Sequence, residues 1–210
     1  MNKFYVVCNT YYPNTAFSNR VFSFLRGFSE LGVDVEVVFL TPDSEMSKVQ
    51  ETYPHITFKY MWENLPFSNR IFNKFADEFY GWKFAWSLKP GDVVFLTNFG
   101  NVFFKVVKRK GVKVVHEKTE HPDVYSFKGF NVERYKREVV KVDGMFVIST
   151  ALKDYFVSCG LPKEKIEIVN MTVDSNRFVG LNHQKSILPI VEQHLITRMV
   201  WMSSSSLLRL

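Results

Sequence analysis

The sequence predicts an α/β domain: a doubly wound, mostly parallel sheet of about seven strands with helices on both faces. Short apolar runs alternate along the chain with longer amphipathic stretches. Glycine or proline punctuates several of the junctions. At 210 residues and 46% hydrophobic content, there is enough apolar material for one large packed core.

The opening run, KFYVVCN, is apolar and ends in polar residues, as a buried strand does. Ser18 to Leu31 follows as an amphipathic helix. Val21, Phe22, Leu25 and Phe28 recur at helical spacing, Ser18 is the expected N-cap, and Gly32 is the stop. VDVEVVFL is the next strand, closed by Thr41-Pro42-Asp43, which completes a βαβ unit. HITFKYM reads as a third strand and Phe67 to Trp86 as a long aromatic helix broken at Lys89-Pro90-Gly91. Then come strand DVVFLTN, helix Val102 to Lys110, strand VKVVHE, helix Val132 to Lys141, strand DGMFVIS, helix Thr150 to Ser158 and strand KIEIVN. The string FSNRVF at Phe17 to Phe22 returns as FSNRIF at Phe67 to Phe72. Both copies read as helix starts using the same capping chemistry.

Composition excludes several classes. The apolar content excludes a disordered chain, and the two Cys exclude a disulfide scaffold. No apolar run approaches the roughly 18 residues of a membrane span, and the N-terminus does not read as a signal peptide, so a cytoplasmic location is expected. The net charge of +6 points to an anionic partner. No recognised nucleic-acid module appears, so nucleic acid is not an expected partner. A nicotinamide-dependent reading is disfavoured because the first strand-to-helix turn lacks G-x-G-x-x-G. No cofactor is expected.

In doubly wound folds ligands lie beyond the carboxyl ends of the strands. The residues to weigh are therefore Asn9 to Thr15, Thr97 to Asn101, Glu117 to His121, and Ser149.

Three segments resemble the N-terminal half of a family 4 glycosyltransferase of the GT-B type. These are YVVCNTYYPNTAFSNRVFSFLRGFSELGVDVEVVFL, the acidic, proline-terminated loop VVHEKTEHP, and DGMFVISTALKDYFVSCGLPKEKIEIVNMTVDSNRF. The last is the most specific: a strand ending in Ser, a helix, a Gly turn, a Lys-Ile strand, and an Asn-x-x-Val-Asp…Phe close. The resemblance covers about residues 3 to 178. It implies a Rossmann-like acceptor-side domain of a bacterial hexosyltransferase in polysaccharide biosynthesis. The full-length enzyme would move a sugar from a nucleotide-sugar to a glycan or lipid-linked acceptor, with retention and without a metal. Where many members carry a Gly-Gly pair, this chain reads Pro13-Asn14-Thr15-Ala16-Phe17. No Glu-x7-Glu pair follows residue 178, so the donor-binding domain is expected to be missing and this chain inactive alone.

Within that frame Glu117, Glu120 and His121 are the catalytic candidates. They are placed to bind acceptor hydroxyls or to assist proton transfer. A zinc reading of HEKTEH fails because the pattern is not HExxH and Pro122 blocks a helix. Tyr11, Tyr12, Asn14, Asn19 and Arg20, at the first strand-to-helix turn, combine aromatic faces for sugars with amide and guanidinium donors. Asn98 and Phe99 hold an equivalent place after the fourth strand of the sheet. Ser149 is either a substrate contact or only a helix cap. Cys8 and Cys159 read as structural thiols.

The helix Phe67 to Trp86 interleaves aromatics with Arg70, Lys74 and Lys83, as interfacial membrane helices do, although core packing uses the same residues. The Lys105-Lys108-Arg109-Lys110-Lys113 cluster suits anionic lipid or polyphosphate, or simply a solvated helix end. An alternative to the transferase half is therefore a non-catalytic Rossmann-like module docking peripherally at the inner membrane surface.

Residues 181–210 are expected to be a tail foreign to this domain. Ile187 to Leu210 has no Asp, no Gly and four consecutive Ser. Read from each codon's third base, Met199-Val200 must give Gly and Trp201-Met202 must give Asp. With permitted codons the tail becomes IAYCGTASNNKDGVDELIK, which resembles the opening of a donor domain. A frameshift near residue 186, in the gene or in its reading, is the expectation, and a genuine short extension is the alternative. Nucleotide sequence beyond codon 186 should hold an open donor-domain frame past the stop codon. A coding sequence with no such frame contradicts the frameshift.

Overall fold

The computed structural model describes residues 2–8, 15–40, 53–61, 70–97, 100–128 and 130–170. Seven strands form one sheet in the order β3-β2-β1-β4-β5-β6-β7. They are β1 (Phe4–Cys8), β2 (Val35–Phe39), β3 (Ile56–Tyr60), β4 (Val93–Leu96), β5 (Lys113–Lys118), β6 (Gly144–Val147) and β7 (Ile166–Ile168). All six pairings are parallel. Five α-helices are described: α1 (Ala16–Glu30), α2 (Arg70–Ser87), α3 (Asn101–Val106), α4 (Val132–Val139) and α5 (Thr150–Ser158). The doubly wound fold class read from the sequence is observed.

The chain winds outward from β1 in both directions, so strand order reverses between β1 and β4. Right-handed crossovers then place α1 on one face and α2 to α5 on the other. The cores match this division. Val6, Cys8, Val37, Phe39, Phe95 and Phe146 pack with Val21, Phe22, Leu25 and Phe28 of α1. Tyr5, Val7, Val94, Leu96, Val114, Met145 and Val147 pack with Phe84, Phe103, Tyr135, Leu152 and Phe156 on the opposite side. Each fully buried large side chain contributes roughly 1.5–3 kcal/mol.

At the amino ends of the strands polar groups are satisfied locally. Buried Asp92 accepts from the Lys3 amide at 3.0 Å and the Lys89 amide at 2.8 Å, and Asp143 accepts from the Val114 amide at 2.8 Å. That edge is thereby closed. A Cβ at Gly81 would stand 2.7 Å from Val102 Cγ2, so α2 lies close against α3.

Some boundaries differ from the sequence reading. The N-cap of α1 is Thr15, not Ser18. The Thr15 hydroxyl accepts from the Ser18 amide at 3.2 Å, and Ser18 itself is buried in the first turn. The third helix ends at Val106 rather than Lys110, and residues 107–111 form turns that bring Arg109 back against the end of α2. Strand β5 continues through Lys118, paired with Val147, so Glu117 lies inside the sheet and not in the following loop. The second FSNR copy is only partly visible: residues 67–69 lie outside the described residues, and α2 begins at Arg70. The tail at 181–210 also lies outside them. No helix among the described residues is long and apolar enough to cross a membrane.

Candidate functional site

Strand order reverses between β1 and β4, and doubly wound sheets hold ligands beyond the carboxyl ends of their strands at such a point, with β5 and β6 next in line. Alternation along β5 sends its last three side chains to different faces. His116 belongs to the helix-rich face, and Glu117 to the face of α1. Lys118 returns to the side of His116.

Glu117 meets Arg20, the fifth residue of α1. Arg20 Nε donates to Glu117 Oε1, Nη1 donates to the Asn170 carbonyl at 2.9 Å, and Nη2 donates to the Val169 carbonyl at 3.0 Å. The guanidinium also lies 5.3 Å from the centre of the Phe24 ring. Both side chains are about 3% exposed, so the pair is out of water. Burial pushes the Glu117 carboxyl up, and the Arg20 charge opposes it. Arginine does not deprotonate in proteins, so the Glu117 carboxyl faces a permanent cation. One side chain thus ties the start of α1 to β5 and to the exit of β7.

His116 is fully buried with both ring nitrogens engaged. Nδ1 lies 2.9 Å from the Leu96 carbonyl and Nε2 lies 3.1 Å from the Tyr135 hydroxyl. The only consistent arrangement for a neutral ring has Nδ1–H donating and Tyr135 donating to Nε2. Burial pushes its pKa down to about 3.

The sequence reading included Lys118 in the stretch Glu117 to His121 but gave it no role. It is 4% exposed, its ammonium stands 4.5 Å from the centre of the Tyr125 ring, and burial pushes its pKa down to about 7, with Glu120 opposing. The signal was available: Lys118 follows Val114 and His116 at period two, on a buried strand face. Tyr125 in turn donates to Glu120. His121 sits beside them with Nδ1 accepting from the Asp123 amide at 3.3 Å and its ring centre 4.1 Å from that of Tyr155, the two planes tilted at 60°. Lys118, Glu120, His121, Tyr125 and Tyr155 therefore line one side of the carboxyl edge.

The remaining candidates are placed as follows. Ser149 is the N-cap of α5, accepting from the Leu152 amide at 3.3 Å. Asn19 is half-buried in the first turn of α1, where its carbonyl accepts from Ser23. Tyr11, Tyr12, Asn14, Asn98 and Phe99 lie outside the described residues. Cys8 is buried at the end of β1, and burial pushes its thiol up to about 12, which keeps it unreactive.

No protein-family model matches the sequence, and no curated protein does. Solved structures do match. A glycosyltransferase from Rickettsia africae aligns over 87% of this chain and 46% of its own, with a TM-score of 0.52 and 12% identity. Anabaena HepE, solved with UDP and glucose, aligns over 85% and 46%, with a TM-score of 0.53 and 11% identity. The N-terminal domain of Candida albicans trehalose-6-phosphate phosphatase aligns over 95% and 54%, with a TM-score of 0.54 and 11% identity. The chain spans about half the length of these proteins. At such identity the likeness is one of fold: this chain has the Rossmann-like architecture found in GT-B glycosyltransferases.

The neutral His116 has a measurable consequence. Its pKa is depressed from 6.5 when folded, so its contribution is complete above the unfolded value and is lost as pH falls from about 6.5 toward 3. Urea unfolding at pH 7 and pH 5 should show the wild type losing about 2 kcal/mol more than His116→Gln. Equal losses would contradict a buried neutral imidazole.

Proposed function

We propose that this chain is the acceptor-side half of a GT-B glycosyltransferase of the family 4 type. The observation that carries the reading is the reversal of strand order between β1 and β4 in a 3-2-1-4-5-6-7 sheet, in a fold shared with two glycosyltransferases, one of them solved with UDP and glucose. The acceptor is a glycan or lipid-linked sugar. The nucleotide-sugar enters from a second Rossmann-like half, and transfer proceeds with retention in the cleft between them. Residues 1–180 form the acceptor domain, and the segment 181–210 is foreign to it.

Roles within the site follow from burial. Glu117 and Arg20 hold the edge in shape, because their polar atoms are spent on each other and on backbone carbonyls. Glu120 and His121 remain exposed enough to meet acceptor hydroxyls, His121 with a neighbouring Tyr155 face suited to a sugar ring. Lys118, with a pKa of about 7, changes charge near neutrality beneath them. Tyr11, Tyr12, Asn14, Asn98 and Phe99 are further proposed substrate contacts, and they lie outside the described residues. Ser149 supports it as the cap of α5.

Acceptor binding and turnover separate cleanly. Purified chain on a glycan array should retain hexose-containing glycans, with His121→Ala weakening retention about tenfold or more at an unchanged unfolding midpoint. The same protein should release no UDP from UDP-glucose. Absence of glycan retention, or UDP release by the isolated chain, contradicts the reading.

A further inference from the structure

The outer face of α2 is an exposed aromatic stripe. Phe72, Phe75, Phe79, Trp82 and Trp86 are spaced three, four, three and four residues apart, which places them on one line along the helix. All five are at least half exposed, Phe75 reaching 70%. The opposite face is spent on the core: Phe84, Ala85 and, just past the helix end, Leu88 are buried, and Gly81 lets α2 sit close on α3. Core packing therefore does not account for the stripe. Such a patch, on the order of 500 Å² from aromatics of this size, marks a docking surface on a soluble domain.

The charge around the stripe selects its occupant. Lys83, Lys89 and Lys110 are exposed at its carboxyl-terminal half. Arg109 lies 5.1 Å from the centre of the Trp86 ring and donates to the Leu88 carbonyl at 3.2 Å, so a cation is fixed against the aromatic row. Glu78 of α2 is taken by Lys105 at 2.6 Å. Lys74 is exposed at the amino-terminal half. A second copy of this chain would lay cations against cations in either helix orientation, on a protein already carrying +6. A single anionic surface satisfies the row and all of its flanking cations at once.

We propose that α2 docks this domain on anionic lipid, with the aromatic stripe at the acyl boundary and Lys83, Lys89, Arg109 and Lys110 at the headgroups. Trp at the interface and cations in the headgroup layer are the chemistry of an in-plane helix. The helix is about 27 Å long, enough to set an orientation rather than a single point of contact. It runs antiparallel to β4, which brings its amino-terminal end toward the carboxyl edge of the sheet. The candidate site then opens along the lipid surface. The inference does not depend on the acceptor reading, because vesicles without sugar lipids test it.

The test is co-sedimentation with vesicles of phosphatidylcholine alone or mixed with phosphatidylglycerol, with tryptophan emission recorded in parallel. The wild type should pellet with the mixed vesicles, with a blue shift, and remain in solution with phosphatidylcholine. The double variant Trp82→Ser, Trp86→Ser and the charge reversal Lys83→Glu, Lys110→Glu should each weaken binding about tenfold or more at an unchanged unfolding midpoint. Wild-type protein that stays in solution with mixed vesicles overturns the proposal, as does either variant binding like the wild type. So does a wild-type dimer in ultracentrifugation that the tryptophan variant dissolves without any vesicle binding.

Discussion

A single guanidinium organises the carboxyl edge of this sheet. Arg20 joins the start of α1, strand β5 through Glu117, and the chain leaving β7 through the carbonyls of Val169 and Asn170. These groups are 97, 149 and 150 residues away in sequence. An isolated charge at this depth is costly, so each partner is tenable only because the other is present. The pair is thus a constraint on geometry more than a source of net stability. It fixes where α1 begins relative to the strands.

The two faces of β5 divide the work. One face gives the Arg20–Glu117 pair. The other buries His116 between Leu96 and Tyr135, then ends at Lys118 under Tyr125. Three consecutive titratable residues sit in a sheet core, where apolar residues are the rule for parallel strands. Every one of them has a specific partner, which is what makes their burial tolerable. Beyond them the chain turns into the exposed Glu120 and His121, so buried support and accessible chemistry follow one another within six residues.

Much of the fold was legible in the sequence. The strands are short apolar runs, and Gly32 and Gly160 end helices with positive φ of 66° and 98°, a conformation that glycine adopts without strain. The site was less legible. Glu117 and Arg20 look like a loop carboxylate and a solvated helix residue, because their pairing depends on contacts 97 residues apart. Lys118 received no role within the stretch Glu117 to His121 because only the continuation of β5, set by its pairing with Val147, buries it. The aromatic helix left core and surface readings open. Helical phase separates them, with Phe84 and Ala85 inward and Phe75, Trp82 and Trp86 outward.

The account rests most heavily on the reciprocity of Arg20 and Glu117, and a double-mutant cycle measures it directly. Arg20→Met and Glu117→Met should each cost about 3–5 kcal/mol in urea unfolding, since each leaves a buried charge unpaired. The double variant should be more stable than the sum of those losses by about 2 kcal/mol or more. Strictly additive losses, or single losses below about 1 kcal/mol, would show that the pair does not organise the edge.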